Sequence, residues 1–99
     1  MTALTQTGNT FFLPEDSSLA VISKLASSLE QGLASLAGSS VELDCAKATK
    51  VDSATVSLLL HAKRLALRYN LPLKITSPSD ALLQLVALYH VEEMLCLAP

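Results

Sequence analysis

The stretch Val41-Glu42-Leu43-Asp44-Cys45-Ala46-Lys47-Ala48-Thr49-Lys50-Val51-Asp52-Ser53-Ala54-Thr55-Val56 constrains the fold more than any other part of this chain. Apolar and polar residues alternate over 41–45, the period of a half-buried strand. A short polar loop follows, and Asp52-Ser53 then opens a long apolar run with helical spacing. The unit is strand, loop, helix. It sets two carboxylates and a hydroxyl, Asp44, Asp52 and Ser53, near a helix start, whose first amides lack intrahelical partners. Asp52 or Ser53 can cap that helix, a role worth about 1 kcal/mol against alanine. No other stretch concentrates polar chemistry as tightly.

The flanking segments repeat the alternation of strand and helix. Residues 3–7 and 10–13 read as a β-hairpin around Gly8-Asn9, an order that suits a tight turn. Asp16 or Ser17 caps a helix expected to run to about residue 37. It carries Leu19, Ile22, Leu25, Ala26, Leu29, Leu33 and Leu36 at steps of three and four, and Gly38 as its stop. Gly32 in its middle costs roughly 1 kcal/mol relative to alanine. The helix after Asp52 is expected to end near Asn70, and a strand follows over 71–76. Ser77-Pro78-Ser79-Asp80 opens another helix, with Ser77 as cap and Pro78 in its first turn. His90-Val91 interrupts it, and residues 92–97 form a last short helix. The order β-β-α-β-α-β-α-α implies an α/β fold in two layers: a small mixed sheet with helices packed on it. At 99 residues the chain is read as one domain over 1–99.

The helix from Ser53 to Asn70 has two sides. At about 100° per residue, Thr55, Leu58, Leu59, Ala62, Leu65, Ala66 and Tyr69 fall together and face the sheet. Ser53, Ser57, His61, Arg64 and Arg68 fall opposite, flanked by Val56, Leu60, Leu67 and Lys63. Val56 and Leu67 suit either a neighbouring helix or a partner. Burying an apolar side chain of this size is worth about 1.5–3 kcal/mol, which a solvated helix forgoes. A docking face of mixed apolar and basic character is therefore expected around Ser53, Val56, Ser57, Leu60, His61 and Arg64, with Arg64 as its anchor. The composition agrees: 51% of residues are hydrophobic and 16% charged, apolar for so short a chain.

Other functions find little footing. A net charge of −2 with no basic tract argues against nucleic acid. No run reaches the roughly 18 apolar residues that span a bilayer, and the N-terminus lacks the pattern of a signal peptide, so a cytoplasmic protein without membrane insertion is expected. The sequence holds neither a GxxxxGK[ST] nor a GxGxxG loop, and no cofactor is implied. Two isolated histidines and two isolated cysteines do not make a metal site, and both thiols read as free and buried. A triad could be drawn from Ser53, His61 and Asp44, but Ser53 and His61 lie about two turns apart on one helix, roughly 12 Å. No enzyme is expected. His90 reads as a residue of the helix break with a local backbone bond, and Glu92-Glu93 as a solvated first turn that suits the helix dipole.

The element order and the stretch Val41 to Asp44 followed by Lys50-Val51-Asp52-Ser53-Ala54-Thr55-Val56-Ser57-Leu58-Leu59-Leu60 resemble the STAS domain family. That family includes bacterial anti-sigma factor antagonists and the MlaB-type cytosolic subunits of phospholipid ABC transporters. Gln6-Thr7-Gly8-Asn9-Thr10, Leu58-Leu59-Leu60-His61 and Leu85-Val86-Ala87-Leu88-Tyr89 resemble the MlaB type. The resemblance implies a small sheet with helices and no chemistry of its own. In the antagonists' Asp-Ser-Ser-Gly pattern the serine after the Asp is phosphorylated, and here Ser53 holds that position. Ala54 and Thr55 stand where the pattern has a second hydroxyl and a glycine, a departure that fits a subunit docked more permanently.

The resemblance to the MlaB type further implies a partner: the ABC transporter ATPase subunit, and through it the permease and lipid-binding subunits. The expected role is to bind and stabilise or regulate that ATPase at the inner membrane. The alternative is a partner-switching regulator such as an anti-sigma factor antagonist.

Overall fold

The computed structural model describes residues 4–97. Ala3, the expected start of the first strand, and Met1 and Thr2, part of the N-terminus read for a leader, lie outside the described residues. Gly8, at φ +59°, makes the turn between β1 (Thr5–Thr7) and β2 (Thr10–Phe12), which pair antiparallel. This backbone angle carries no steric cost at glycine. β3 (Val41–Asp44) then pairs parallel to β2, and β4 (Leu73–Thr76) parallel to β3, giving a four-stranded mixed sheet in the order β1-β2-β3-β4.

The register explains which side is covered. Phe11, Leu43 and Ile75 are paired neighbours across the three parallel strands and are all fully buried. On the opposite face Thr10, Glu42 and Lys74 form one row and Phe12, Asp44 and Thr76 the next. The crossovers run through α1 (Ile22–Ser35) and α2 (Ser53–Arg68), which pack on each other over the apolar face. α3 (Asp80–Leu88) and α4 (Glu92–Leu95) also contact α2. The element order and the two layers thus follow the alternation of apolar periods, 2 in strands and 3.6 in helices.

The sheet-facing side of α2 is as its spacing predicts. Thr55, Leu58, Leu59, Ala62, Leu65 and Ala66 are buried, and Tyr69 is half-buried. Asn70 ends the helix at φ +52°, and Gly38 follows α1 at φ +84°. Along α1, Leu25, Leu29 and Leu33 are buried. Gly32 has a reason the sequence hides: a Cβ there would lie 2.5 Å from Phe11 Cε1. Glycine lets α1 approach the ring of β2.

Four local expectations need correction. The helix expected from Asp16 or Ser17 begins only at Ile22, after a 3-10 turn over Leu19–Val21, and Leu19 is 70% exposed. Backbone groups of Ser17 and Leu19 are bound by residues far along the chain, as described below, so they do not enter a regular helix. Ser77 does not cap α3. It sits at φ +52° before Pro78, and Ser79 caps instead, its hydroxyl accepting from the Leu82 amide at 3.2 Å. The Ser79 hydroxyl also donates to the Ala48 carbonyl, a second bond that holds it at the helix start. β4 starts at Leu73 rather than 71, leaving Pro72 outside the ladder. Cys96 is exposed and ends α4 at φ +50°, while Cys45 is buried as expected. His90 does lie in the helix break, at φ +56°, with its amide bonded to the Ala87 carbonyl.

Candidate functional site

The loop between β3 and α2 is held from two sides. Ser17 and Lys50 exchange backbone bonds with their neighbours: the Ser17 amide donates to the Lys50 carbonyl at 3.0 Å, and the Lys50 amide to the Glu15 carbonyl at 2.9 Å. On the other side the Ser79 hydroxyl donates to the Ala48 carbonyl. Asp44 at the end of β3 accepts from the Ala46 amide at 2.8 Å, so it braces the loop locally. The Lys50–Asp16 ion pair, at 3.7 Å with Lys50 largely exposed, adds little. The Ser18 hydroxyl, with the Ser18 amide, holds the Asp16 carboxyl below the usual carboxylate range.

Asp52 is the N-cap of α2 and does more than cap. Its Oδ1 accepts from the Ala54 amide at 3.0 Å, while Oδ2 accepts from the Leu19 amide at 3.0 Å. One carboxylate therefore binds the starts of two helical segments. Thr55 completes a reciprocal capping box, its hydroxyl accepting from the Asp52 amide at 3.1 Å. The same hydroxyl donates to the Ser17 carbonyl, and Thr55 is fully buried. The residue standing where the antagonist pattern has glycine is thus a structural tie. It fastens the segment before α1 to the first turn of α2.

The ties set α1 and α2 side by side with an open groove between them, of about 450 Å³. Leu19, Ile22, Ser23 and Ala26 form one wall, and Ala54, Ser57, Leu58, His61 and Arg64 the other. The floor is apolar. Arg64 is exposed, and no carboxylate lines the groove. His61 lies 3.9 Å from Glu30 of α1, both side chains partly exposed.

The expected docking residues divide. Ser57, His61 and Arg64 come together on the groove, and Ser53 is exposed at the first position of α2. Val56 does not belong to the open surface. It is buried, 4% exposed, and does not line the groove. Leu60 is half-buried against the core, which leaves it only partly available. Leu67 is open, 84% exposed. The residues missed are those of the opposite wall, Leu19, Ile22, Ser23 and Ala26. The apolar spacing of 16–37 includes three of them, Leu19, Ile22 and Ala26, without marking them as a docking wall.

The groups of the conceivable triad are engaged elsewhere: Asp44 with the Ala46 amide, His61 with Glu30, and Ser53 in solvent at the helix start. Among the described residues no three His, Cys, Asp or Glu side chains gather as a metal ion requires. Burial first, and the Asp44 charge second, push the Cys45 thiol up to about 12, which removes it as a nucleophile at neutral pH. Among the described residues no helix is long and apolar enough to cross a membrane. What the arrangement offers is a surface: a groove between two helices with the exposed Arg64 on its rim.

A search of curated proteins by sequence returned no match. Among solved structures, the chain is similar to an anti-sigma-factor antagonist (STAS) domain protein from Planctomyces limnophilus. The match has a TM-score of 0.77 at 13% identity, and covers 98% of this chain and 87% of that one. The family model described as Mlab, STAS domain, matches residues 13–97. That span runs from the residue after β2 to the last described residue and takes in both walls of the groove, so the chain belongs to the MlaB-like STAS domain family.

Proposed function

We propose that this protein is a non-enzymatic subunit that binds the ATPase of a phospholipid-transporting ABC system and stabilises or regulates it. The observation that carries the reading is the groove between α1 and α2, an open apolar trough with Arg64 on its rim, in a chain of the MlaB-like family. Leu19, 70% exposed, lies beside Ile22 and Ala26 on one wall of that groove, so the exposed apolar side chain adjoins a lined surface. The mechanism is linkage. A partner that binds one conformation of the ATPase more tightly shifts its population toward that conformation and raises its stability. The protein would act at the cytoplasmic face of the inner membrane, held there by its partner. Ser53 and Asp52 shape the helix start, while Ser57, His61 and Arg64 make contact.

Co-expression with the cognate ATPase subunit tests the reading. A stable complex is expected from the wild type, and Arg64→Glu should abolish it while leaving thermal stability nearly intact, since Arg64 is exposed. Failure of the wild type to bind would overturn the function. Binding by Arg64→Glu at wild-type strength would overturn the surface.

One observation favours a second reading. Ser53 is exposed and directly follows the capping Asp52, so its hydroxyl is accessible to a kinase. A partner-switching regulator would take up stoichiometric phosphate on Ser53 from a cognate serine kinase, read by mass measurement.

A further inference from the structure

Both walls of the groove begin at one carboxylate. Asp52 Oδ1 holds the start of α2 and Oδ2 holds the Leu19 amide, 33 residues away in sequence. The Thr55 hydroxyl fixes the Ser17 carbonyl beside it. Between them they set the short 3-10 segment as a strap across the starts of the two helices, with Leu19 projecting from it, 70% exposed, as a lining residue of the groove. A leucine on a flexible turn would be an unremarkable exposed side chain. Here the turn is pinned by two side chains that are themselves fixed in a reciprocal capping box.

Resting on the function proposed above, we infer that the strap is half of the docking surface, that Leu19 is its apolar anchor, and that Asp52 is the residue that positions it. The chemistry of the groove specifies the occupant. The α2 wall runs from Ala54 to Arg64, about 15 Å of helix rise. That length accepts about three turns of a partner helix lying along the trough, its apolar stripe on Leu19, Ile22 and Ala26. Arg64 is the exposed cation at the far end of this wall and no carboxylate lines it, so the complementary helix carries an acid one end of its stripe from the residue that meets Leu19. The resulting contact is an amphipathic, acidic helix of the partner laid between α1 and α2.

The test measures binding of the purified cognate ATPase subunit to four variants, with melting temperature recorded for each. Leu19→Asp should weaken binding at least tenfold, about the loss of one interface hot spot, without lowering the melting temperature, because the side chain is exposed. Leu19→Met should bind as the wild type does. Asp52→Ser keeps a hydroxyl to cap α2 but cannot also reach the Leu19 amide. It should weaken binding about threefold to tenfold, with faster hydrogen exchange at Leu19 and unchanged exchange at Ala54. In Leu19→Asp/Asp52→Ser the two effects should not add, since Asp52 acts through Leu19. Wild-type binding by Leu19→Asp would remove the strap from the interface while leaving the proposed partner standing. Additive losses would make Asp52 a cap alone. Absence of binding by the wild-type chain would bring down the function and this inference together, and is distinguished by that control.

Discussion

Replacing Thr55 by valine isolates the tie that builds the groove. The side chains are nearly the same shape, and the site is fully buried. Valine loses both bonds of the hydroxyl, to the Asp52 amide and to the Ser17 carbonyl. Stranding the Ser17 carbonyl and the Asp52 amide costs about 1–3 kcal/mol each, and the methyl that replaces the hydroxyl returns about 0.8 kcal/mol, so the net loss is about 1–5 kcal/mol. At about 4–8 °C per kcal/mol for a domain of this size, the melting temperature should fall by roughly 5–40 °C. Thr55→Ser is the control. It keeps the hydroxyl and removes one methyl, for about 1 kcal/mol. Thermal unfolding followed by circular dichroism reads both variants. If Thr55→Val melted within roughly 4 °C of the wild type, or no lower than Thr55→Ser, the hydroxyl would not be the tie described.

Two other predictions concern the core and the thiols. Gly32→Ala should destabilise the protein, although alanine is the better helix former by about 1 kcal/mol. The added Cβ would lie 2.5 Å from the buried Phe11 ring, and overpacking of that kind costs about 1–3 kcal/mol; a variant that melts higher than the wild type would refute the close approach. In the folded protein at pH 8, iodoacetamide should modify Cys96 and spare Cys45, which is buried with its thiol pushed up to about 12. Mass mapping checks this, and prompt labelling of Cys45 would contradict its burial.

How far the sequence could be read depended on the range of the interactions. The buried side of α2, Leu58, Leu59, Ala62, Leu65 and Ala66, follows from periodicity alone, because a helix repeats its environment every 3.6 residues. The strand register likewise follows from alternation at Leu43 and Ile75. The strap was not legible. Leu19 carries the spacing of a core helix residue, and its exposure is decided by Asp52 and Thr55, more than thirty positions away. Val56 shows the same limit in reverse. Its place on the helix wheel suits a neighbouring helix or a partner equally, and in the fold it is buried. Ser77 and Ser79 offer equal capping chemistry, and the choice fell to Ser79, whose hydroxyl also reaches the Ala48 carbonyl across the loop. For the site, the sequence therefore marked one wall, Ser57, His61 and Arg64, and left the facing wall unseen.

In the proposed complex the partner sits in the trough between α1 and α2. Hydrogen exchange of the protein alone and in complex with the cognate ATPase subunit distinguishes this face from the others. New protection is expected within residues 19–26 and 54–64, with exchange over the open sheet face around Thr10, Glu42 and Lys74 unchanged. A complex that protects the sheet face and leaves both groove walls exchanging as in the free protein would contradict that placement.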